Sequence, residues 1–487
     1  MTRMAARILR RKLTRTVFMS IACVAALAGI AVGQTGFGGG SLWFALVCAA
    51  VLGVCFWQRR LVLLPIAVLC AFSIATVRTS EYLAIAEDYQ PLYGQTVQFD
   101  GVVNDDPTYS DKGNRQLFLA DITYEGRSLP GQLFISTPLA ADVRRHDTVS
   151  VSGTLREGFG QFQGSIYYAS ITKTGEAQHA IDDLRAQFAA GTTSVLPEPQ
   201  ASLGLGFVIG MKSALPENLE DALRDLSLTH VVVASGYNLT ILVRAAKRLR
   251  EKKSKLQTLL LSSGLIALFL FVTGNSPSMV RAAAVSGLVL LAWYFGRQFK
   301  PYFLLLLVMA LTALYNPMYL WGDLGWWLSF AAFAGIMIVA PLIIERFWRE
   351  RRPSFVGQIA IEALVAQLMT LPIILLVFGN LSLLGVIANV LVVPLVPFAM
   401  LAVALAGFAS MFAPALAAFI AIPAQAILSL IVSIINLLHA IPSMTHVLFI
   451  DMTQLVICYA TIAIVTAVLW SRLSRERRRR ALMQQIV

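Results

Sequence analysis

The segment LSLTHVVVASGYNLTIL, residues 226–242, gathers His230, Ser235, Gly236, Tyr237, Asn238 and Thr240, all within about three turns if it is helical. Histidine and serine are the usual materials of acyl transfer, but no G-x-S-x-G elbow and no partnering base surround Ser235, so a serine hydrolase is not supported. The five histidines, His146, His179, His230, His439 and His446, form no H-x-H-x-D-H cluster, and a two-metal nuclease site cannot be built from them. There is no G-x-x-x-x-G-K-[ST] loop, so nucleotide hydrolysis by that route is excluded. Cys23, Cys48, Cys55, Cys70 and Cys458 lie in apolar stretches without metal-ligand spacing or a disulfide framework and read as small buried hydrophobes. No catalytic residue, cofactor or metal is expected, and the chain does not read as an enzyme.

What remains is polar chemistry set in apolar text. Ser-Gly-Tyr-Asn is a poor helix sequence, because glycine lowers propensity and asparagine prefers caps and turns. It predicts a broken helix whose backbone groups line a cavity, with a packing notch at Gly236 as the alternative. His230 is either part of that lining or a hydrogen-bonded interior residue. Arg281 follows SPSMV at the start of a span; the alternative to a functional cation is a side chain snorkelling to the interface. Asp323 sits in YLWGDLGWWLSF beside Gly322, Gly325 and Ser329, where a helix N-cap is the plainer reading. Asn389 precedes Pro394 and Pro397 in LLGVIANVLVVPLVPF, a second polar interruption. Paired interruptions of this kind point to a substrate path.

These residues need spans to hold them. Apolar residues make up 57% of the 487 positions and charged residues 14%, against about 25% charge in soluble domains. About twelve transmembrane helices are predicted, near 17–33, 41–57, 60–77, 228–246, 256–273, 278–295, 301–317, 321–344, 357–378, 382–406, 412–440 and 446–470. The run 412–440 has a candidate break at Pro414 and Pro423. The net charge of +12 would suit nucleic acid, but it also suits the basic inner loops of a membrane protein. Placing Arg7, Arg10, Arg11, Lys12 and Arg15 inside puts Arg59, Arg60, KRLREKKSK (247–255), ERFWRERR (345–352) and SRERRRR (474–480) inside as well, as the positive-inside rule requires. In this topology both termini are expected on the cytoplasmic side of the membrane. The domains read as three helices over 1–78, a β domain over 79–177, an amphipathic or re-entrant linker over 178–227, a helical membrane domain over 228–471 and a basic tail over 472–487.

The β domain falls outside the cytoplasm in this topology. Strands are predicted at 95–103, 115–124, 131–137, 147–157 and 165–172, separated by DDP, DKGN and EGR turn signals. Five short strands in about 80 residues suit a small barrel of the OB type. Its aromatics include Phe118, Tyr124, Phe134, Phe159, Phe162, Tyr167 and Tyr168. They either fill the barrel or, at Phe159, Phe162, Tyr167 and Tyr168 above all, offer faces on which single-stranded bases stack. Residues 91–175 carry seven basic and nine acidic groups, a net charge of 7 − 9 = −2, which is not the basic footprint of a tight nucleic-acid binder.

Residues 201–242, ASLGLGFVIGMKSALPENLEDALRDLSLTHVVVASGYNLTIL, resemble the signature stretch of the ComEC-type competence proteins. Three later features match in the same order: Arg281 in SPSMVRAAAVSGLVLLA, the GDLGWWLSF block, and FGNLSLLGVIANVLVVPLVP. The outer OB-like domain extends the resemblance over most of the chain. His230, Ser235, Gly236, Arg281, Asp323, Gly325, Ser329, Asn389 and Pro394 match family positions. Asn238 stands where a second histidine is usual, Trp326 where phenylalanine is common, and Lys212 where an acidic residue is common.

The resemblance implies an inner-membrane channel carrying single-stranded DNA into the cytoplasm during natural transformation. A path through His230, Ser235, Gly236, Asn238, Arg281, Asp323, Gly325, Ser329, Asn389 and Pro394 is expected. Many relatives carry a C-terminal metallo-β-lactamase-like domain; this chain reads as a short form that leaves strand degradation to another protein. Expected partners are DNA, membrane lipid, an outer DNA receptor and a cytosolic helicase or strand-binding protein. The alternatives are a transporter of another anionic polymer or lipid-linked substrate, and a membrane-embedded hydrolase.

Overall fold

A computed structural model of the chain describes residues 12–35, 42–109, 114–138, 143–176, 180–211, 215–229, 239, 254–273, 277–297, 299–348, 353–441 and 445–484. In chain order, α1 (Arg15–Gly33), α2 (Leu42–Gln58) and α3 (Leu64–Glu87) precede eight strands. These are β1 (Thr96–Val103), β2 (Thr108–Tyr109), β3 (Arg115–Tyr124), β4 (Arg127–Leu129), β5 (Leu133–Thr137), β6 (Thr148–Glu157), β7 (Gly164–Tyr167) and β8 (Ser170–Gly175). Helices α4 (Ala180–Val195), α5 (Gln200–Ile209), α6 (Glu217–Asp225), α7 (Lys255–Thr273), α8 (Pro277–Tyr294), α9 (Pro301–Tyr315), α10 (Met318–Gly322) and α11 (Leu324–Ala334) follow. A π-helical turn, Gly335–Val339, leads to α12 (Ala340–Trp348), α13 (Phe355–Phe378), β9 (Asn380–Ser382), α14 (Leu383–Val392), α15 (Val396–Phe412), α16 (Pro414–His439), β10 (Thr445–Val447) and α17 (Met452–Gln484). The chain divides into two units, one of residues 1–183 and 250–327, the other of 184–249 and 328–487.

Among the described residues six helices are long and apolar enough to cross a membrane, and the α14–α15 pair, bent by 50°, makes a seventh if counted as one span. The chain is a membrane protein. In the first unit, α1 begins at Thr14, whose hydroxyl accepts from the Val17 N–H. It lies close along α3, because Gly29 and Gly33 face Phe72, Ala75 and Thr79, and a Cβ at Gly29 would stand 2.5 Å from the Phe72 carbonyl oxygen. Small residues four apart allow this approach where lipid supplies no hydrophobic drive between helices.

The strands close into a five-stranded barrel: β1 pairs with β3 and β6, β3 with β5, β5 with β7, and β7 with β6. All of these pairings are antiparallel except β5–β7. Strand β1 alternates exposed and buried positions, the period of two that a barrel wall demands. Phe99, Leu117, Leu119, Leu133, Ile135, Val149, Val151, Leu155 and Ile166 fill the interior, each worth about 1.5–3 kcal/mol when fully buried. The predicted last strand is interrupted. Tyr168 adopts φ +58, and at this kink the chain leaves β5: β7 pairs with both β5 and β6, while β8 continues in the same direction along β6 alone.

In the second unit, α5, α6, α15 and α16 share a core around Leu203, Phe207, Leu223, Val403, Leu428 and Ile431. Helix α5 ends at Gly210 in the left-handed region and is too short to span. Pro423 does not break α16, which runs unbroken from Pro414 to His439; neighbouring groups in a membrane helix can satisfy the backbone that proline frees. Two polar interruptions are breaks in the structure: Asp323 is extended between α10 and α11, within the span expected at 321–344, and Pro394 lies between α14 and α15.

Candidate functional site

Arg281, on the first turns of α8, is 3% exposed. This corrects the snorkelling alternative: the guanidinium is enclosed rather than reaching an interface. Its Nη2 donates to the Gly325 carbonyl at 3.0 Å, and its Nη1 lies 3.7 Å from Asp323 Oδ2. The other carboxylate oxygen, Oδ1, accepts from the Trp326 N–H at 3.1 Å, so Asp323 does cap α11 as the plain reading held, and it also faces the cation. A charge at the centre of a span costs a few kcal/mol or more, and the extended residue between two helices brings in the counter-charge. The frame around it is stiff. Trp326 is wholly buried and donates its indole N–H to Thr312 Oγ1 at 3.0 Å.

The barrel meets this frame through the β6–β7 loop, which carries Phe159 and Phe162. Gly160 lies against Gly322, the residue before Asp323. Gln163 ties the loop down: its Nε2 donates to Tyr82 Oη at 2.9 Å, its Oε1 accepts from the Gln132 N–H at 2.6 Å, and its carbonyl accepts from Tyr93 Oη at 2.7 Å. Burial pushes the Tyr93 phenol above its ordinary range, with Glu157 adding to the rise.

The barrel aromatics divide in two. Phe99 is interior, with Tyr124 packed on it at 5.4 Å. Phe118, Phe134, Phe159, Phe162 and Tyr167 do not fill the barrel; they form a separate cluster, with Phe134 at 6.1, 5.0, 5.8 and 5.9 Å from the other four. Phe134 and Phe162 are buried within it, whereas Phe159 and Tyr167 are 47% and 40% exposed. The Arg156 guanidinium stands 5.6 Å from the Tyr167 ring centre. Tyr168 is 76% exposed.

In the second unit Asn389 is 3% exposed. Its amide donates to the Gly385 carbonyl at 2.9 Å and to Gln367 Oε1 on α13 at 3.4 Å. Pro394 is buried at the bend and Ser329 is half-buried on α11. Sequence reasoning passed over Glu362, which is 4% exposed on α13 and accepts from Gln358 Nε2 at 2.8 Å. The signal was present as the one carboxylate in a 24-residue apolar helix, four residues after a glutamine. His230, Ser235, Gly236 and Asn238 lie outside the described residues. The structure thus joins Arg281, Asp323 and Gly325, and separately Asn389 with Gln367. Among the described residues no group of three or more histidine, cysteine, aspartate or glutamate side chains is placed to hold a metal.

Interrupted spans carrying buried polar groups, together with a small β-barrel, define a membrane protein built around polar sites rather than a simple anchor. A profile of the competence protein family matches residues 207–473, more than half of the chain, and the chain belongs to that family. ComE operon protein 3 of Bacillus subtilis (strain 168) is 27% identical over 234 residues, covering 47% of this chain and 29% of that protein. The uncharacterized protein YcaI of Escherichia coli (strain K12) is 26% identical over 238 residues, covering 44% and 30%. The chain thus spans less than a third of the length of either relative. No solved structure matches it.

Proposed function

We propose that this protein is an inner-membrane channel that moves single-stranded DNA into the cytoplasm during natural transformation. The observation that carries the reading is Arg281, a guanidinium buried beside a broken span in a member of the competence family. A strand bears one negative charge per nucleotide and needs a polar, positively biased route through lipid. Arg281 with Asp323 and Gly325, and Asn389 with Pro394, supply such groups; Ser329 and the segment holding His230, Ser235, Gly236 and Asn238 complete the proposed path.

Four shorter apolar helices, Trp43–Gln58, Lys255–Phe271, Ser278–Tyr294 and Pro301–Tyr315, together with the apolar segment 228–246, support a count of about twelve spans. The positive-inside distribution of arginine and lysine then supports cytoplasmic termini and an outer β domain. The order in which β1, β3, β5, β7 and β6 close the barrel supports the OB-type reading, and the aromatic cluster lies on its β3–β5 face. Phe159, Phe162, Tyr167 and Tyr168 are the proposed contacts for the strand or for a receptor that delivers it. The driving force comes from outside the chain, from a cytosolic helicase or strand-binding protein.

The test is uptake. A deletion strain should lose delivery of fluorescently labelled DNA to the cytosol, and the intact gene should restore it. Arg281→Ala and Asn389→Ala variants present at normal membrane levels should restore it poorly. Unimpaired uptake in the deletion strain refutes the channel, and full restoration by both variants refutes the proposed path.

A further inference from the structure

Arg281 is poorly matched to the partner that neutralises it. A settled guanidinium–carboxylate pair is bidentate, with both contacts near 2.7–2.9 Å. Here the distance to Asp323 Oδ2 is 3.7 Å, beyond hydrogen-bond length. Among the described residues Arg281 Nε and Nη1 find no acceptor, although both are buried. Only Nη2 is engaged, by the Gly325 carbonyl. A buried polar atom left without a partner costs about 1–3 kcal/mol, more when charged, so this cation is held ready for a better acceptor than it has.

The two partners also differ in access. The Arg281 side chain is 4% exposed and that of Asp323 20%, so the carboxylate is the member of the pair that solvent reaches. Asp323 lies in extended backbone between α10 and α11, with φ −96 and ψ 97. Its side chain can therefore turn without breaking a helical hydrogen bond of its own, at the expense of one cap contact to Trp326.

We infer that Asp323 is a counter-ion gate over Arg281, an inference that rests on the anionic-cargo reading above. At rest the carboxylate occupies the approach to the guanidinium. A phosphate diester of the cargo displaces it and takes the unsatisfied donors, and the carboxylate returns when the phosphate moves on. A fixed carboxylate that must be displaced keeps small anions from leaking through an otherwise positive site. The Gly160 loop against Gly322 places the barrel one residue from this gate.

The test is binding by the purified full chain in lipid nanodiscs. The probes are a fluorescent oligothymidylate, the same strand with an uncharged methylphosphonate backbone, and inorganic pyrophosphate. Asp323→Asn removes the charge but keeps a capping oxygen. It should tighten phosphodiester binding by about tenfold, a modest fraction of the coupling between unit charges about 4 Å apart, and leave the methylphosphonate strand unchanged. Arg281→Gln should abolish the phosphodiester preference; if that variant fails to fold, Asp323→Glu carries the comparison and should bind like wild type. If Asp323→Asn leaves phosphodiester binding unchanged or weakens it, the pair is structural and the gate is overturned while DNA binding by the wild type still stands. If no variant binds the strand but Asp323→Asn binds pyrophosphate more tightly, the gate holds and DNA is not the cargo. If no variant binds either anion, the gate is overturned.

Discussion

Replacing Gly322 with alanine tests the junction between the barrel loop and the broken span. A Cβ at Gly322 would lie 2.6 Å from Gly160 Cα and 3.2 Å from its N and C atoms. All three are backbone atoms, and carbon atoms prefer about 3.5–4.0 Å, so the loop must withdraw by roughly an ångström. Overpacking of this kind costs about 1–3 kcal/mol. Withdrawal also stretches the 2.9 Å bond from Gln163 to Tyr82, adding about 1 kcal/mol. The reciprocal change meets no such obstacle: a Cβ at Gly160 would stand 3.4 Å from the Gly322 carbonyl oxygen. Gly160 has φ +59, however, and an alanine there costs about 1–2 kcal/mol from backbone strain alone. Gly322→Ala should therefore lower the thermal midpoint of the full chain in detergent more than Gly160→Ala, with faster hydrogen exchange concentrated at residues 158–163. A Gly322→Ala protein as stable as wild type, or a larger loss at Gly160, would refute the close backbone packing on which the argument depends.

Trp326→Phe and Thr312→Val each remove one end of the 3.0 Å indole–hydroxyl bond, and a double-mutant cycle on thermal stability should return a coupling of about 0.5–1.5 kcal/mol. Phe134→Ala should cost about 3–4 kcal/mol, since it empties the middle of the aromatic cluster. Phe159→Ala, at a residue 47% exposed, should barely change stability but should weaken oligothymidylate binding, each stacked base being worth about 1–3 kcal/mol. Lys173 has its ammonium raised above the ordinary lysine range by Glu176 and then Asp147. Its contribution is complete below the unfolded lysine pKa and is lost as pH rises through the folded one, so an alkaline stability titration should show a falling limb that Lys173→Met lacks.

The barrel was legible because β1 alternates and turn signals bound its neighbours, and β1, β3, β5 and β6 start and end within about two residues of the predicted segments. The split at Tyr168 was not legible, since a tyrosine at φ +58 follows from the point where the strand leaves β5 while keeping β6 and not from any local preference. Prolines gave mixed guidance. Pro394 marks a true bend and Pro423 none, because proline only frees a carbonyl, and packing decides whether the helix then parts. Glu362 escaped notice because hydropathy summed over 24 residues absorbs one acid.

Arg281 shows where such reading meets its physical boundary. Position at the start of a span left two readings open, a functional cation or a side chain on its way to the interface. What holds it is the Gly325 carbonyl, forty-four residues away in the chain, together with a carboxylate brought near by the break between α10 and α11. The break was visible in Gly322-Asp323-Leu324-Gly325, and the cation was visible at Arg281. Their meeting was not visible, because it depends on how α8 packs against the α10–α11 joint. That packing leaves Asp323 serving two partners at once, one well through the Trp326 N–H and one poorly through the guanidinium. A carboxylate divided in this way is easier to displace from its poorer partner, and when it turns away it gives up the Trp326 cap as well, which is the cost that returns it to the cation once the anion has passed.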